Sequence, residues 1–387
     1  MTGNKIDNIT GSHYAALDGL RGFAVLLVMV YHYGLERQQH VDWFIDMTQF
    51  GWVGVDLFFV LSGFLITGIL LETRKQDGYF KKFLVRRFVR IWPLYYGVLF
   101  LFFVVAPLVT SNLPDDLATM GEKQAWFWLY AANWLFAIEG GFNETPGGYF
   151  WSLAVEEQFY LFWPILVYYC RPPAVLKVSI GLLLISAIGR FVLVQQGVAA
   201  SVVYTMTFTH LDGLAIGAIL SVLLRDQASF AAIRRWVLPA LVVGVSTLAA
   251  VRLLAGSWFF WTPEMASFGY LAIALTGGAL LIKSLTADPG SLTHGLTTNR
   301  FIREAGRLSY GLYILHVPVA KATMIVIDKL TSLPSLEESY LAFALFFVLA
   351  FAFAWLAALI SWHVFEKQML KVKKYFEYDK RTTADAS

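Results

Sequence analysis

Charge is scarce in this chain. Asp, Glu, Lys and Arg make up 15% of its 387 residues, against roughly 25% in soluble globular proteins, which excludes an ordinary solvated surface over most of its length. Cysteine is almost missing: the single Cys170 excludes an intramolecular disulfide and a cysteine-based metal set, and is expected to be a buried thiol. There is no internal repeat, no low-complexity linker, no β-barrel alternation and no polar block long enough for a separate soluble domain. The net charge of +3 is spread over loops rather than gathered in one solvent-facing patch, so no nucleic-acid partner is expected. The first 16 residues lack a basic stretch running into a clean apolar core, and the apolar run that follows is broken by Asp18 and Arg21. A cleaved signal is therefore not expected, and the N-terminus should stay on the protein.

What is present is apolar. Hydrophobic residues make up 58% of the chain and mean hydropathy is +0.60, the composition of a polytopic, all-α membrane protein. Apolar runs bounded by polar or Gly/Pro punctuation predict about ten spans, near 16–35, 51–71, 89–110, 150–170, 174–194, 202–224, 236–254, 259–283, 307–327 and 339–364. The stretch QAWFWLYAANWLFAI, residues 124–138, is too short to cross and rich in aromatics, and is expected to be interfacial or re-entrant.

With the N-terminus inside, the basic segments ETRKQDGYFKKFLVRRFVR, RPPAVLK, RDQASFAAIRR and the C-terminal tail all fall on the cytoplasmic side. The outer loops are neutral or acidic, as the positive-inside rule requires. Residues 1–13 are expected to be a cytoplasmic segment, 14–366 one membrane domain, and 367–387 a basic cytoplasmic tail.

Ionisable groups inside such spans cost a few kcal/mol each, about 2.5–3.5 on insertion scales, and call for a reason. The first span, ALDGLRGFAVLLVMVYHYG, holds Asp18, Arg21 and His32. Eleven residues separate Arg21 from His32, which places them within about 20° of one helix face and roughly 16 Å apart along the axis. Asp18 lies on the same stripe, and an i,i+3 ion pair with Arg21 is the simpler account of those two.

The second span carries Asp56 near its outer end, with Ser62 and Gly63 deeper. The fourth opens with YFWSLAVEEQFYLFWP, which places Glu156, Glu157 and Gln158 at a similar outer depth and Tyr160 on the Glu156 face. Carboxylates on two spans near the depth of a histidine suggest a base oriented by an acid. Arg86, Arg87 and Arg90, at i,i+3 and i,i+4 spacing in KKFLVRRFVRIWPLYY, suit either headgroup anchoring or a clamp on a phosphorylated ligand. Lys81 and Lys82 are expected only to anchor. No pattern suggests a metal.

The segments LDGLRGFAVLLVMVYH, VGVDLFFVLSGFLIT, RRFVRIWPLYY, WSLAVEEQFYLFWP, HLDGLAIGAIL and LSYGLYILHVPV, in this order from about residue 14 to Glu366, resemble the acyltransferase-3 family of integral-membrane acyltransferases. The likeness is to the minimal form without a fused extracytoplasmic domain. It implies transfer of an acyl group, most often acetyl, from cytoplasmic acyl-CoA to a hydroxyl of an extracytoplasmic or lipid-linked glycan, or of a small natural product. No bound cofactor is implied; acyl-CoA is a substrate. By motif match His32 and Arg21 are the family's paired histidine and arginine, Arg87 and Arg90 its arginine pair, and Glu156 lies in its WSLAVEEQ segment. His210, Asp212, Ser309 and His316 also fall in matching segments without an assigned role, and a lone intramembrane His316 is more simply structural.

Together these lines predict that the donor's phosphates sit on Arg86, Arg87 and Arg90 and that its arm passes Arg21. Catalysis is expected at His32, with Glu156 or Asp56 orienting the imidazole. Asp18, Ser62, Tyr160 and His316 are expected to line the substrate path. A general base and an acyl-histidine intermediate both stay open at this point. A transporter, the rival explanation of intramembrane charge, would show an inverted repeat and matched broken helices, and the sequence shows neither.

Overall fold

The computed structural model describes residues 15–37, 43–110, 113–142, 147–331, 334–336 and 338–378. The expected N-terminal segment 1–13 lies outside them, as does the last part of the tail. Among the described residues there is helix and no strand. A strand could not satisfy its backbone in hydrocarbon without closing into a barrel.

The principal helices, in chain order, are α1 (Ala15–Leu35), α2 (Val53–Thr73), α3 (Tyr79–Phe100), α4 (Phe150–Tyr169), α5 (Pro172–Gln195), α6 (Asp212–Leu223), α7 (Gln227–Ala255), α8 (Tyr270–Leu285), α9 (Ser309–Leu330) and α10 (Tyr340–Ser361). Eight helical stretches among the described residues are long and apolar enough to cross a membrane. The protein is a polytopic helical membrane protein. Two of the expected spans stand outside those eight. α4 has 20 residues but carries Glu156 and Glu157. The span expected at 202–224 is broken into a helix Ala200–Thr205, a turn Thr207–Thr209 and the 12-residue α6.

Helix ends follow local chemistry. Asp226 accepts from the Ser229 N–H at 2.7 Å to start α7, and Gly256, at φ 67°, ends it, an acidic N-cap and a left-handed C-terminal stop. The aromatic stretch at 124–138 does not cross. It folds into two short helices, Gln124–Trp128 and Ala132–Ile138, with Tyr130 between them at φ 51°. The turn is held from both sides, because Tyr130 stacks on Tyr95 of α3 at 4.1 Å and its carbonyl accepts from the Gln158 amide of α4 at 3.0 Å.

α1 sits at the centre of the bundle, packed against α2, α9 and the helix Arg300–Arg307. Among the described residues α2 and α6 share the most extensive helix contact. Lipid gives helices no hydrophobic drive to associate, so close backbone approach through small residues supplies the attraction. A Cβ added at Gly217 of α6 would lie 2.2 Å from the Val60 carbonyl oxygen of α2. Gly217→Ala is therefore expected to destabilise the protein by about 1–3 kcal/mol, the usual cost of overpacking. Gly181→Ala in α5, where nothing lies within 4 Å, should leave the thermal unfolding transition in detergent unchanged. Equal transitions for both variants would show that α2 and α6 do not need this contact.

Candidate functional site

Polar side chains within the bundle fall into three groups. The first is built on α1, α2, α3 and α4. Arg21, Arg87 and Arg90 line a narrow cavity of about 90 Å³ together with Ser62, Glu156 and Tyr160. Ser62 donates to Glu156 Oε1 at 2.5 Å, and the Tyr160 hydroxyl donates to Ser62 Oγ at 3.0 Å. The Arg87 guanidinium lies 6.0 Å from the Tyr160 ring centre.

Three guanidinium groups and one carboxylate thus share the wall, while Asp18 and Glu366 act on Arg21 and Arg90 from outside the lining. Arg87 Nε is buried with no hydrogen-bond partner. A buried unpaired donor is costly unless a ligand uses it.

The second group surrounds His32. His32 lines a much larger chamber, about 840 Å³, walled by aromatic residues including Trp52, Tyr149, Trp151, Tyr204 and Phe260. Its Nδ1 is 2.9 Å from the Val28 carbonyl one turn back and 3.2 Å from Nε2 of His316. Tyr149 packs on His32 edge-on with ring centres 6.4 Å apart. Val55 and Tyr313 line both this chamber and the arginine cavity, so these two side chains are the partition between them. The Tyr313 hydroxyl is held in that place by Ser152 Oγ at 2.5 Å and donates to the Tyr149 carbonyl at 3.0 Å.

The third group is fully buried. Asp56 Oδ1 is 2.9 Å from His210 Nε2, and Arg190 Nη2 is 2.6 Å from Asp212 Oδ2. The other nitrogens of Arg190 donate to the Ala266 carbonyl, at 2.9 Å, and the Thr209 carbonyl. This network ties α2, α5 and α6 to the turn Thr207–Thr209. It satisfies the backbone that the broken span 202–224 leaves open, as irregular structure at membrane depth requires.

Several expected positions are therefore corrected. Neither carboxylate proposed to orient His32 reaches it: Glu156 bonds Ser62, and Asp56 bonds His210. The reason for Glu156 is register. Tyr149, not Glu156, is at the level of His32, and seven residues of helix place Glu156 about 10 Å further along. Arg86 does not join the arginine cavity. It donates to the Phe376 carbonyl at 3.4 Å and lies 5.2 Å from the Tyr378 ring centre, turned toward the C-terminal segment. Asp18 lies within electrostatic reach of Arg21. Arg21, Arg87 and Arg90 do meet, as do Ser62, Glu156 and Tyr160, and His316 meets His32.

Sequence reasoning missed Arg190, although a single arginine inside the apolar run of α5 was a signal for a buried partner. It also missed Tyr313, which shares a helix face with His316 three residues on, and Tyr149. Among the described residues no group of three or more His, Cys, Asp or Glu side chains is placed to hold a metal ion.

The chain is 30% identical over 349 residues to the peptidoglycan O-acetyltransferase OatA of Listeria monocytogenes, covering 87% of this chain and 53% of that protein. It is 33% identical over 323 residues to the putative peptidoglycan O-acetyltransferase YrhL of Bacillus subtilis, covering 78% of this chain and 48% of the relative. It is 29% identical over 318 residues to the O-acetyltransferase OatA of Staphylococcus aureus, covering 78% and 50%. The chain thus spans about half the length of the curated relatives it matches. No solved structure matches. The family model described as an acyltransferase domain, Acyl_transf_3, matches residues 14–360, and the chain belongs to that family.

Proposed function

We propose that the protein is a membrane-bound O-acyltransferase that moves an acyl group, acetyl in the first instance, from acyl-CoA at the cytoplasmic face to a hydroxyl of an extracytoplasmic or lipid-linked glycan. The observation that carries this reading is the pair of cavities sharing one partition. A cavity with three arginines lies on one side of Val55 and Tyr313, and a roomy aromatic chamber with a histidine on its wall lies on the other. Phosphate recognition and acyl transfer need different surroundings, one cationic and one able to exclude bulk water.

In this reading the phosphates of the donor bind Arg21, Arg87 and Arg90, whose charge Glu156 offsets from the same cavity wall. The pantetheine arm passes between Val55 and Tyr313. The distance along α1 from Arg21 to His32, about 16 Å, matches an extended arm of that kind. The acceptor hydroxyl enters through the chamber, whose aromatic walls suit the apolar faces of sugar rings. His32 Nε2 takes the hydroxyl proton, the oxygen forms a bond to the thioester carbonyl carbon, the C–S bond breaks, and the sulfur leaves with the proton returned from Nε2. Acceptor ester and free thiol are the balanced products. The relatives are named for peptidoglycan O-acetylation, which supports a cell-envelope glycan as the acceptor.

His32→Ala is expected to abolish transfer from acetyl-CoA to cell-wall glycan fragments while membrane insertion stays normal; substantial residual acylation would remove His32 as the base. Arginine recognises phosphate through its planar fork, whereas lipid anchoring needs only a point charge. Arg87→Lys and Arg90→Lys should therefore weaken coenzyme A binding by about 1–3 kcal/mol, the scale of hydrogen bonds to charged groups. Unchanged affinity in both variants would return these residues to an anchoring role.

In this reading both termini and the turn before α7 lie in the cytoplasm, which the basic loops support. A cysteine at position 230 in a Cys170→Ala background should react only with reagents on the inner side, and labelling from outside would overturn the orientation.

A further inference from the structure

The carboxylates that would ordinarily orient a catalytic imidazole are elsewhere, and the group in their place is a second histidine. We propose that His316 is a positioning residue that fixes His32 as its Nδ1–H tautomer and turns its Nε2 lone pair toward the chamber. This rests on the reading of His32 as the base.

The argument starts at the far end of the pair. His316 is completely buried. Its Nδ1 lies 2.7 Å from the Tyr313 carbonyl oxygen and 3.2 Å from that of Leu312. Carbonyl oxygens only accept, so Nδ1 carries the hydrogen. A neutral imidazole has one N–H, so Nε2 of His316 holds a lone pair.

That lone pair lies 3.2 Å from His32 Nδ1, which is also 2.9 Å from the Val28 carbonyl. His32 Nδ1 therefore faces two acceptors and must itself carry the hydrogen. By the same count, His32 Nε2 is the unprotonated atom. The opposite assignment would set the lone pair of His32 Nδ1 against the Val28 carbonyl oxygen and place the N–H on Nε2, where no base could act. The chain of donors runs in one direction, from His32 to His316 to the backbone of α9.

The arrangement does the work of a triad's acid without burying a charge. A third group that holds the base and supports its protonated form is the general requirement. When His32 gains the acceptor's proton at Nε2, its Nδ1–H still points at two acceptors. A carboxylate at this depth would bring its own desolvation cost. A neutral histidine, polarised by two carbonyls and enclosed by Tyr33, Tyr149 and Tyr313, avoids it.

The test joins a structural readout to a kinetic one. In wild-type protein with 15N-labelled imidazoles, the resonances lost in His32→Ala should report a protonated Nδ1 and an unprotonated Nε2. His316→Phe, which keeps the ring and removes both nitrogens, should lower kcat about 10- to 100-fold with the KM for acetyl-CoA unchanged. His316→Gln, which restores an acceptor for His32, should recover much of that loss. A structural role alone would not separate the two variants in this way. The opposite tautomer in wild type, or wild-type kcat in His316→Phe, overturns the proposal. Should His316→Phe fail to accumulate in the membrane, His316→Leu takes its place in the same comparison with His316→Gln, and wild-type kcat in it overturns the proposal. If His32→Ala is inactive while His316→Phe turns over at the wild-type rate, only the role of His316 falls. If His32→Ala stays active, the base assignment itself falls.

Discussion

The cost of taking ionisable groups out of water governs this structure. Three of the polar regions in the interior meet that cost in different ways. Arg190 and Asp212 meet it by direct pairing, Asp56 by His210. Arg21, Arg87 and Arg90 meet it only in part: Asp18, Glu156 and Glu366 act on them electrostatically, while Glu156 accepts its hydrogen bond from Ser62. The His32–His316 pair meets it through backbone carbonyls, that of Val28 for His32 and that of Tyr313 for His316. The Arg190–Asp212 pair joins two helices, whereas Arg21, Arg87 and Arg90 set three guanidinium groups on one cavity wall, surroundings that suit an anion.

The fold places these regions in functional order. α1 carries Arg21 and His32 on one face and so runs past both cavities, while α9 brings Tyr313 between them and His316 against His32. One helix turn separates those last two residues. Any motion of α9 that moved Tyr313 aside would therefore also act on the hydrogen bond that holds His32. Arg190 ties α5 to α6 through Asp212, and Asp56, next to the partition's Val55 on α2, bonds His210.

Much of this was legible in the sequence, because hydropathy and the distribution of basic loops report spans directly, and because i,i+3 and i,i+4 spacing reports which side chains share a helix face. The meeting of Arg87 with Arg90 and the shared stripe of Arg21 and His32 follow from such local geometry. Depth between helices does not. The level of Glu156 relative to His32 depends on where α4 begins beside α1, and an offset of seven residues moved it from one cavity to the other. The partner of His32 lies 284 residues away, and the pairing of Asp56 with His210 spans 154; nothing in either local pattern encodes those contacts. Arg86 was misplaced for a different reason: it shares a helix with Arg87 and Arg90, but the C-terminal segment offers it the Phe376 carbonyl and the Tyr378 ring.

The central claim is that one ligand spans both cavities, phosphates on the arginines and thioester at the histidine. A cryo-electron microscopy structure of the protein with coenzyme A bound tests it most directly. The account predicts phosphate density within hydrogen-bond distance of Arg87 and Arg90, and the pantetheine arm passing between Val55 and Tyr313 with its thiol beside His32. Nucleotide density in the aromatic chamber, or on a surface away from the arginine cavity, would contradict it.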